Sequence, residues 1–288
     1  MNANGYCGNL LWQRGLTLVP PNLIRAIKRI AGNTDDVRLS RSLANVVVGQ
    51  MLPDGVVKGG SSLMFRYGVD RTRYTRDIDT ARSIEHDEYL AELKKSLADG
   101  WNGFTAELVD VVPPMPDGVP SAYIMKPYDA KVKYLGRAWQ TVRIEVGHNE
   151  IGDADDYEEF LPEELAKAFE ELDFPRPRPL RVMMLSYQVA QKLHAVSEDG
   201  SARAHDLIDL QLIMLHSKPE LADVHSKCVR LFNYRRKQPW PPKIEKGEGW
   251  DEIYAVAMKT ISDQTALCPT VDEAVDWANE LIASIDKA

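Results

Sequence analysis

The sequence predicts an α/β (α+β) fold: a mixed sheet with flanking helices, followed by an α-helical C-terminal domain. Three observations predict it. Apolar residues recur at helical spacing near both ends of the chain, but alternate at strand spacing between residues 104 and 146. The run Phe174-Pro175-Arg176-Pro177-Arg178-Pro179 is incompatible with a helix or a central strand. Beyond that run the pattern reads as helical throughout. A boundary therefore falls at 174/175, with an N-terminal α/β domain over 1–174 and a helical domain over 175–288.

The elements follow in order. A helix begins after Pro20-Pro21, with Leu23, Ile24, Ile27 and Ile30 on one face, and stops at Gly32. A second spans 39–52 and ends at Pro53-Asp54-Gly55. Val56-Val57-Lys58 is a short buried strand that runs into Gly59-Gly60, residues 61–67 make one or two helical turns, and Ile78 sits in another short strand. Residues 87–98 form an amphipathic helix through Tyr89, Leu90, Leu93 and Leu97. Strands at 104–109, 123–133 and 141–146 are joined by connections at 113–120 and 135–137. Residues 150–171 carry ten acidic side chains against Lys167 alone, and read as a solvated loop and then a helix after Pro162. The C-terminal helices lie at 187–197, 202–215, 222–236, 250–262 and 271–285.

Composition narrows the function. With 35 basic and 43 acidic residues the net charge is −8, which excludes a generally basic nucleic-acid coat but not a local basic groove. The three cysteines, Cys7, Cys228 and Cys268, form neither a metal pattern nor a disulfide framework, as expected in a reducing cytoplasm. No stretch has the length of a signal sequence or a membrane span, so no membrane partner is expected.

Two constellations carry chemistry. The first is Lys58-Gly59-Gly60-Ser61-Ser62 followed by Arg73-Tyr74-Thr75-Arg76-Asp77-Ile78-Asp79. A strand that ends in two glycines lets a phosphate approach the backbone, and Ser61 adds a hydroxyl donor at a helix start, where free N–H groups favour an anion. Asp77 and Asp79 alternate on a strand and so share a face, and two adjacent carboxylates repel unless a cation such as Mg²⁺ or Mn²⁺ sits between them. Mg²⁺ ordinarily combines one or two carboxylates with substrate phosphates, so the cradle and the paired acids make coherent nucleotide chemistry. Glu145, which breaks an apolar alternation, is either the third acid of such a site or a polar outer-face residue on an edge strand; Asp129 is a substitute. The second constellation is Gln191-Lys192-Leu193-His194-Ala195 with Arg203-Ala204-His205-Asp206-Leu207-Ile208-Asp209-Leu210. Lys192 lies on an apolar helix and needs a partner, either a phosphate or the aspartates Asp206 and Asp209, which share a helical face.

Together these motifs resemble the AbiEii/AbiGii toxin family of nucleotidyltransferases, which includes mycobacterial toxins that add nucleotides to tRNA 3′ ends. The resemblance covers about residues 40–216. It implies a DNA polymerase β-type nucleotidyltransferase core, an NTP substrate, a tRNA acceptor and a cognate antitoxin. It also implies that Ser61 binds phosphate, that Asp77 and Asp79 bind metal, that Lys192 is essential, and that Asp206, with Asp209 beside it, supplies the acid of the last motif. His205 departs from the basic residue common there, and the loop from Tyr67 to Arg73 leaves the roles of Arg66 and Arg71 open.

On this reading the catalytic set is Asp77, Asp79, Glu145, Lys192 and Asp206, and the nucleotide-binding set is Lys58, Gly59, Gly60, Ser61, Ser62, Arg76 and Asp209. An acceptor hydroxyl would attack the α-phosphorus and expel pyrophosphate. Positive charge for RNA is expected at 58–76 and at 227–246, where seven basic residues are interleaved with Phe232, Tyr234 and Trp240. The rival readings are transfer to a protein hydroxyl (AMPylation-like) and a non-catalytic RNA- or partner-binding relative. An HD-type phosphohydrolase centred on His205-Asp206 lacks the expected spacing among the six histidines.

Overall fold

The computed structural model describes residues 20–32, 35–112 and 126–288. The expected connection at 113–120, the first three residues of the strand expected at 123–133, Cys7 and Trp12 lie outside the described residues. Helices α1 (Pro20–Ala31) and α2 (Asp36–Gly49) come first. Asp35 starts α2 by accepting the N–H groups of Val37 and Arg38 at 2.9 and 3.0 Å, which satisfies two of the unpaired donors of the first turn.

Next come β1 (Gly55–Lys58), α3 (Gly59–Tyr67), β2 (Asp77–Arg82) and α4 (His86–Asp99). Strands β3 (Phe104–Asp110), β4 (Lys126–Tyr134) and β5 (Arg137–His148) follow as a meander. The β4–β5 turn is tight because Leu135 and Gly136 both take positive φ, +49° and +76°, which matches the twist of the flanking strands.

The chain continues through β6 (Tyr157–Phe160), α5 (Glu163–Glu171) and β7 (Leu180–Met183), and then α6 (Leu185–Val196), α7 (His205–His216), α8 (Leu221–Arg235), α9 (Trp250–Met258) and α10 (Val271–Ile285). The seven strands form one sheet in the order β3-β4-β5-β2-β1-β7-β6. It is mixed: β1 runs parallel to β7 and β2 parallel to β5, while the other pairs are antiparallel.

Two expectations are corrected here. The acidic stretch is not simply loop and helix, because 157–160 forms the edge strand β6. The residues after the proline run are not all helical either. Leu180–Met183 enters the sheet between β1 and β6, so sheet residues lie on the C-terminal side of 174/175. The run itself is held in place: Gln50, just past α2, donates to the Arg178 carbonyl and accepts its N–H, both at 3.0 Å. Four residues are too short for a periodic signal, and the prolines mask it.

Two cores result. Ile78, Ile144 and Val182 on one sheet face pack with Val46, Val47, Leu97 and Phe169 from the helices that cover it. Leu193, Leu207, Ile208, Leu231, Trp250 and Ile282 form the core of the C-terminal helices. Helix α3 belongs to both, with Met64 and Phe65 in the first core and Leu63 in the second. The short helix after the glycines is thus gripped from two sides, and its N-terminus is fixed over the opposite face of the sheet, where the polar residues of β2 and β5 project.

Candidate active site

The glycines are packed against acids and bases rather than standing in a free turn. Gly59 has φ +65°, and a Cβ there would lie 2.2 Å from Asp79 Oδ2. A Cβ on Gly60 would lie 3.1 Å from Arg73 Nη2 and 3.2 Å from Thr75 Oγ1. Only bare backbone lets the start of α3 sit this close to β2. Ser61 is fully buried and its hydroxyl donates to the Asp77 carbonyl, tying the first turn of α3 to β2. Ser62, also buried, accepts from Gln188 Nε2 at 2.7 Å. Neither hydroxyl faces the cleft. In this structure both hydroxyls anchor the helix, and the N–H groups at the start of α3 are further donors for an anion.

Register assembles the acids. Asp79 pairs with Lys58 on β1 and with Glu145 on β5, while Asp77 pairs with Arg143. Strand β5 lies between β4 and β2, so Glu145 is not an edge-strand residue and stands beside Asp79 on the polar face. Burial pushes the carboxyls of Asp77, Asp79 and Glu145 all upward; Asp77 pushes Asp79 further the same way, and both aspartates do so to Glu145. Asp129 is different. Despite some desolvation, hydrogen bonds from Arg143 at 2.7 Å and Lys131 at 3.3 Å hold it low, so it does not replace Glu145. Carboxylate oxygens that raise one another's proton affinity suit a hard divalent cation. Among the described residues no three acidic, His or Cys side chains are disposed to hold an ion by themselves. A cation here would need phosphate and water oxygens as further ligands, and the HD-type metal centre has no support.

A second set of charges backs the first. Lys192 Nζ donates to Asp206 Oδ1 at 2.8 Å and Asp209 Oδ2 at 2.6 Å. Arg73 grips Asp209 with two bonds of 3.0 and 2.9 Å, and Arg203 Nε meets Asp206 Oδ2 at 2.9 Å. Burial alone would raise both aspartates, yet Lys192 and Arg203 hold Asp206 well below the usual carboxylate range, and Arg73 and Lys192 lower Asp209. Lys192 is thus salt-bridged to both aspartates and also lines the cleft. Asp206 and Asp209 do not line it. In this arrangement they hold three cations, Lys192, Arg73 and Arg203, in place.

Two cavities open onto this arrangement. A front lobe of about 840 Å³ is lined by Gly60, Arg73, Thr75, Arg76, Asp77, His205 and the exposed side of α9. A back lobe of about 430 Å³ is lined by Lys58, Gln188, Gln191, Arg235 and the 198–203 loop. Gly59, Asp79, Glu145, Lys192 and Arg203 line both. His205 is kept neutral, its pKa lowered to about 4 chiefly by burial, with Arg73 and Arg203 acting the same way against Asp206. Arg66 lies elsewhere: it pairs with Glu158 at 2.7 Å and stacks on Phe160, bracing the sheet edge.

Sequence reasoning missed Arg73 and Arg203 as site residues. A usable signal was charge balance, since two aspartates on the apolar helix α7 require more than one lysine. The basic run at 227–246 is largely engaged with acidic neighbours. Lys227 pairs with Asp223, Arg235 with Glu150, Lys237 with Glu198, Lys243 with Glu245, and Lys246 with Asp251 and Asp272. Arg230 donates to the Ile151 carbonyl, and Phe232 is buried. Five of the seven basic residues thus have acidic partners in this structure.

The family model of the nucleotidyl transferase AbiEii toxin, type IV toxin–antitoxin system, matches residues 39–278. No curated protein matches the chain. Among solved structures, MenT4, a nucleotidyltransferase toxin from Mycobacterium tuberculosis H37Rv, is 16% identical over 93% of this chain and 99% of its own, with a TM-score of 0.48. JHP933 from Helicobacter pylori is 15% identical over 87% and 91%, with a TM-score of 0.43. Because the family match runs unbroken from α2 through the acids of β2 and β5 to the charged lattice of α6 and α7 and on into α10, the chain belongs to the AbiEii nucleotidyl transferase toxin family of type IV toxin–antitoxin systems.

Proposed function

We propose that this nucleotidyltransferase toxin moves a nucleoside monophosphate from an NTP to the 3′-hydroxyl of a tRNA, in the cytoplasm, and so blocks translation until a cognate antitoxin restrains it. The observation that carries this reading is the meeting of two lobes on one acidic ridge, Asp77, Asp79 and Glu145, with Lys192, Arg73 and Arg203 held beside it. A cleft of that kind has room for a donor and an acceptor on either side of a phosphorus atom. Among the described residues no helix is long and apolar enough to cross a membrane.

The triphosphate tail fits the front lobe. There the first-turn N–H groups of α3, exposed to a close approach by Gly59 and Gly60, meet Arg73, Arg76 and the Thr75 hydroxyl. Lys192, oriented by Asp206 and Asp209, directs its remaining N–H toward charge that develops on the departing pyrophosphate. Glu145, beside Asp79 where the two lobes meet, accepts the proton of the acceptor hydroxyl as its oxygen bonds to the α-phosphorus. The bond from the α-phosphorus to the bridging oxygen breaks, and pyrophosphate leaves with that electron pair. Asp77 and Asp79, with Glu145, would hold Mg²⁺ or Mn²⁺, which supplies Lewis-acid neutralisation of the phosphates. The rate then comes from positioning and electrostatics rather than from a protein nucleophile. Arg76, which lines the front lobe and lies close enough to Asp77 to lower its proton affinity, offers positive charge to an RNA strand at the mouth.

The test is incubation of the purified protein with each labelled NTP and either total tRNA or total cell protein, beside Asp77→Ala. Label on tRNA that Asp77→Ala abolishes is expected. Label on protein alone would replace this reading with protein modification.

A further inference from the structure

Lys58 is buried to more than nine-tenths, yet its ammonium makes no hydrogen bond or ion pair with any described residue, and it lines the back lobe. It is not far from acids: it lowers the proton affinity of Asp79, Glu145, Glu150 and Asp153. Space for the ammonium is made by Gly147, two residues beyond Glu145 on β5, where a Cβ would lie 3.0 Å from Lys58 Nζ. The sheet thus presents a donor with unused N–H groups beside the proposed base Glu145, on the same face. An ammonium that opens on a cavity with no acceptor from the protein has its natural complement in an oxygen of a ligand. A hydroxyl can accept from Lys58 and donate to one of the neighbouring carboxylates, which an ionised phosphate oxygen cannot do.

Phosphoryl transfer requires the attacking and leaving oxygens to lie roughly in line. With pyrophosphate departing into the front lobe, the attacking hydroxyl approaches from the other side of the acids, where the back lobe lies. A volume of about 430 Å³ accommodates one terminal nucleoside and excludes a duplex. We propose that the back lobe receives the terminal ribose of the acceptor, and that Lys58 donates to its 2′-hydroxyl while Glu145 takes the proton of the neighbouring 3′-hydroxyl. The cis-diol of an RNA end is thereby distinguished from a DNA end. The proposal rests on the nucleotide-transfer reading above.

The test uses the full-length protein, a labelled NTP, and deacylated tRNA whose terminal adenosine is either intact or 2′-deoxy. Wild-type protein is expected to lose about tenfold or more in kcat/KM on the deoxy end, the size of one hydrogen bond to a charged group. Lys58→Met is expected to be slower on the intact end and nearly indifferent to the 2′-hydroxyl. Lys58→Arg, which keeps donors, should retain much of the preference. Exchanging the NTP for its 2′-deoxy form should leave the ratio of wild type to Lys58→Met unchanged. Equal use of both ends by wild-type protein overturns the proposal without any variant, so it stands or falls even if Lys58→Met does not fold. Full discrimination surviving in a folded Lys58→Met overturns it, as does a ratio that follows the 2′-hydroxyl of the NTP, which would assign the lobe to the donor nucleoside. Absence of transfer to any tRNA by wild-type protein would overturn the underlying reading as well, and is distinguishable on that ground.

Discussion

Asp79 lays its carboxylate against the bare Cα of Gly59, so that a methyl group on residue 59 would come within 2.2 Å of Oδ2. Gly59 opens α3 directly after β1, Asp79 lies within β2, and they meet because Lys58 and Asp79 are register partners. Gly59→Ala therefore has two separate costs. An L side chain at φ +65° costs roughly 1–2 kcal/mol, and the clash must displace either Asp79 or the start of α3. The expected outcome in the labelled-NTP assay is a loss of at least about a hundredfold, since sub-ångström placement governs reactions of this type. A lowered melting temperature should accompany it.

The acids on β2 and β5 oppose stability at neutral pH. Burial raises the folded-state pKa values of Asp77, Asp79 and Glu145 above their unfolded values. The fold therefore favours their protonated forms, and stability is lost as pH rises through those raised values. A divalent cation would reverse the penalty only where the acids are ionised. Millimolar Mg²⁺ is expected to raise the melting temperature at pH 8 and to do little at pH 4. Asp79→Asn should raise it at pH 8 without Mg²⁺ while cutting transfer by about a thousandfold, the magnitude typical for removing a preorganised charge. A Mg²⁺ effect independent of pH would contradict the assignment.

How far this site was legible depends on the residue. Gly59, Gly60, Asp77 and Asp79 were readable because strand alternation and a glycine pair leave few ways to arrange them. Glu145 was half-readable: alternation indicated which face it takes, but only pairing with β2 on one side and β4 on the other removes the edge-strand option. The Ser61 bond to the Asp77 carbonyl was not legible, because a hydroxyl at a helix start can serve a ligand or a backbone carbonyl and local sequence does not choose between them. Arg73 lies 136 residues from Asp209, and a contact of that range leaves no trace in periodicity. Strand β7 was hidden by its four-residue length and its proline flank.

The Lys192 lattice makes the opposite pH prediction to the catalytic acids. Asp206 and Asp209 are held below their unfolded pKa values, so their contribution is present above the ordinary carboxylate range and is lost as pH falls through the folded values. Wild-type stability should fall steeply on acidification below about pH 4, and Asp206→Asn should show a flatter profile there. At pH 7.5 the same variant leaves Lys192 and Arg203 one carboxylate short. A loss of about 3–5 kcal/mol in urea unfolding is expected for breaking a buried ion pair from one side. A loss below about 1 kcal/mol would mean that Arg73 and Asp209 carry the lattice unaided.

Asp153 offers a stabilising substitution next to the site. It is fully buried; its carboxylate accepts the Glu150 N–H at 2.8 Å and the Gln191 amide at 2.6 Å. Burial nevertheless lifts its pKa to about 6, with nearby Lys58 pulling the other way. A folded value above the unfolded one means that stability is greatest below about pH 4, declines between pH 4 and 6, and stays reduced above. Asparagine has nearly the same shape and cannot ionise, and the Gln191 amide can turn over to accept from it. Asp153→Asn should therefore be more stable than wild type at pH 7.5, by on the order of 2 kcal/mol. The difference should shrink or reverse at pH 4. Urea titrations at the two pH values decide the matter: a gap that does not change with pH would show that the hydrogen bonds of Asp153, rather than its buried charge, determine its effect on the fold.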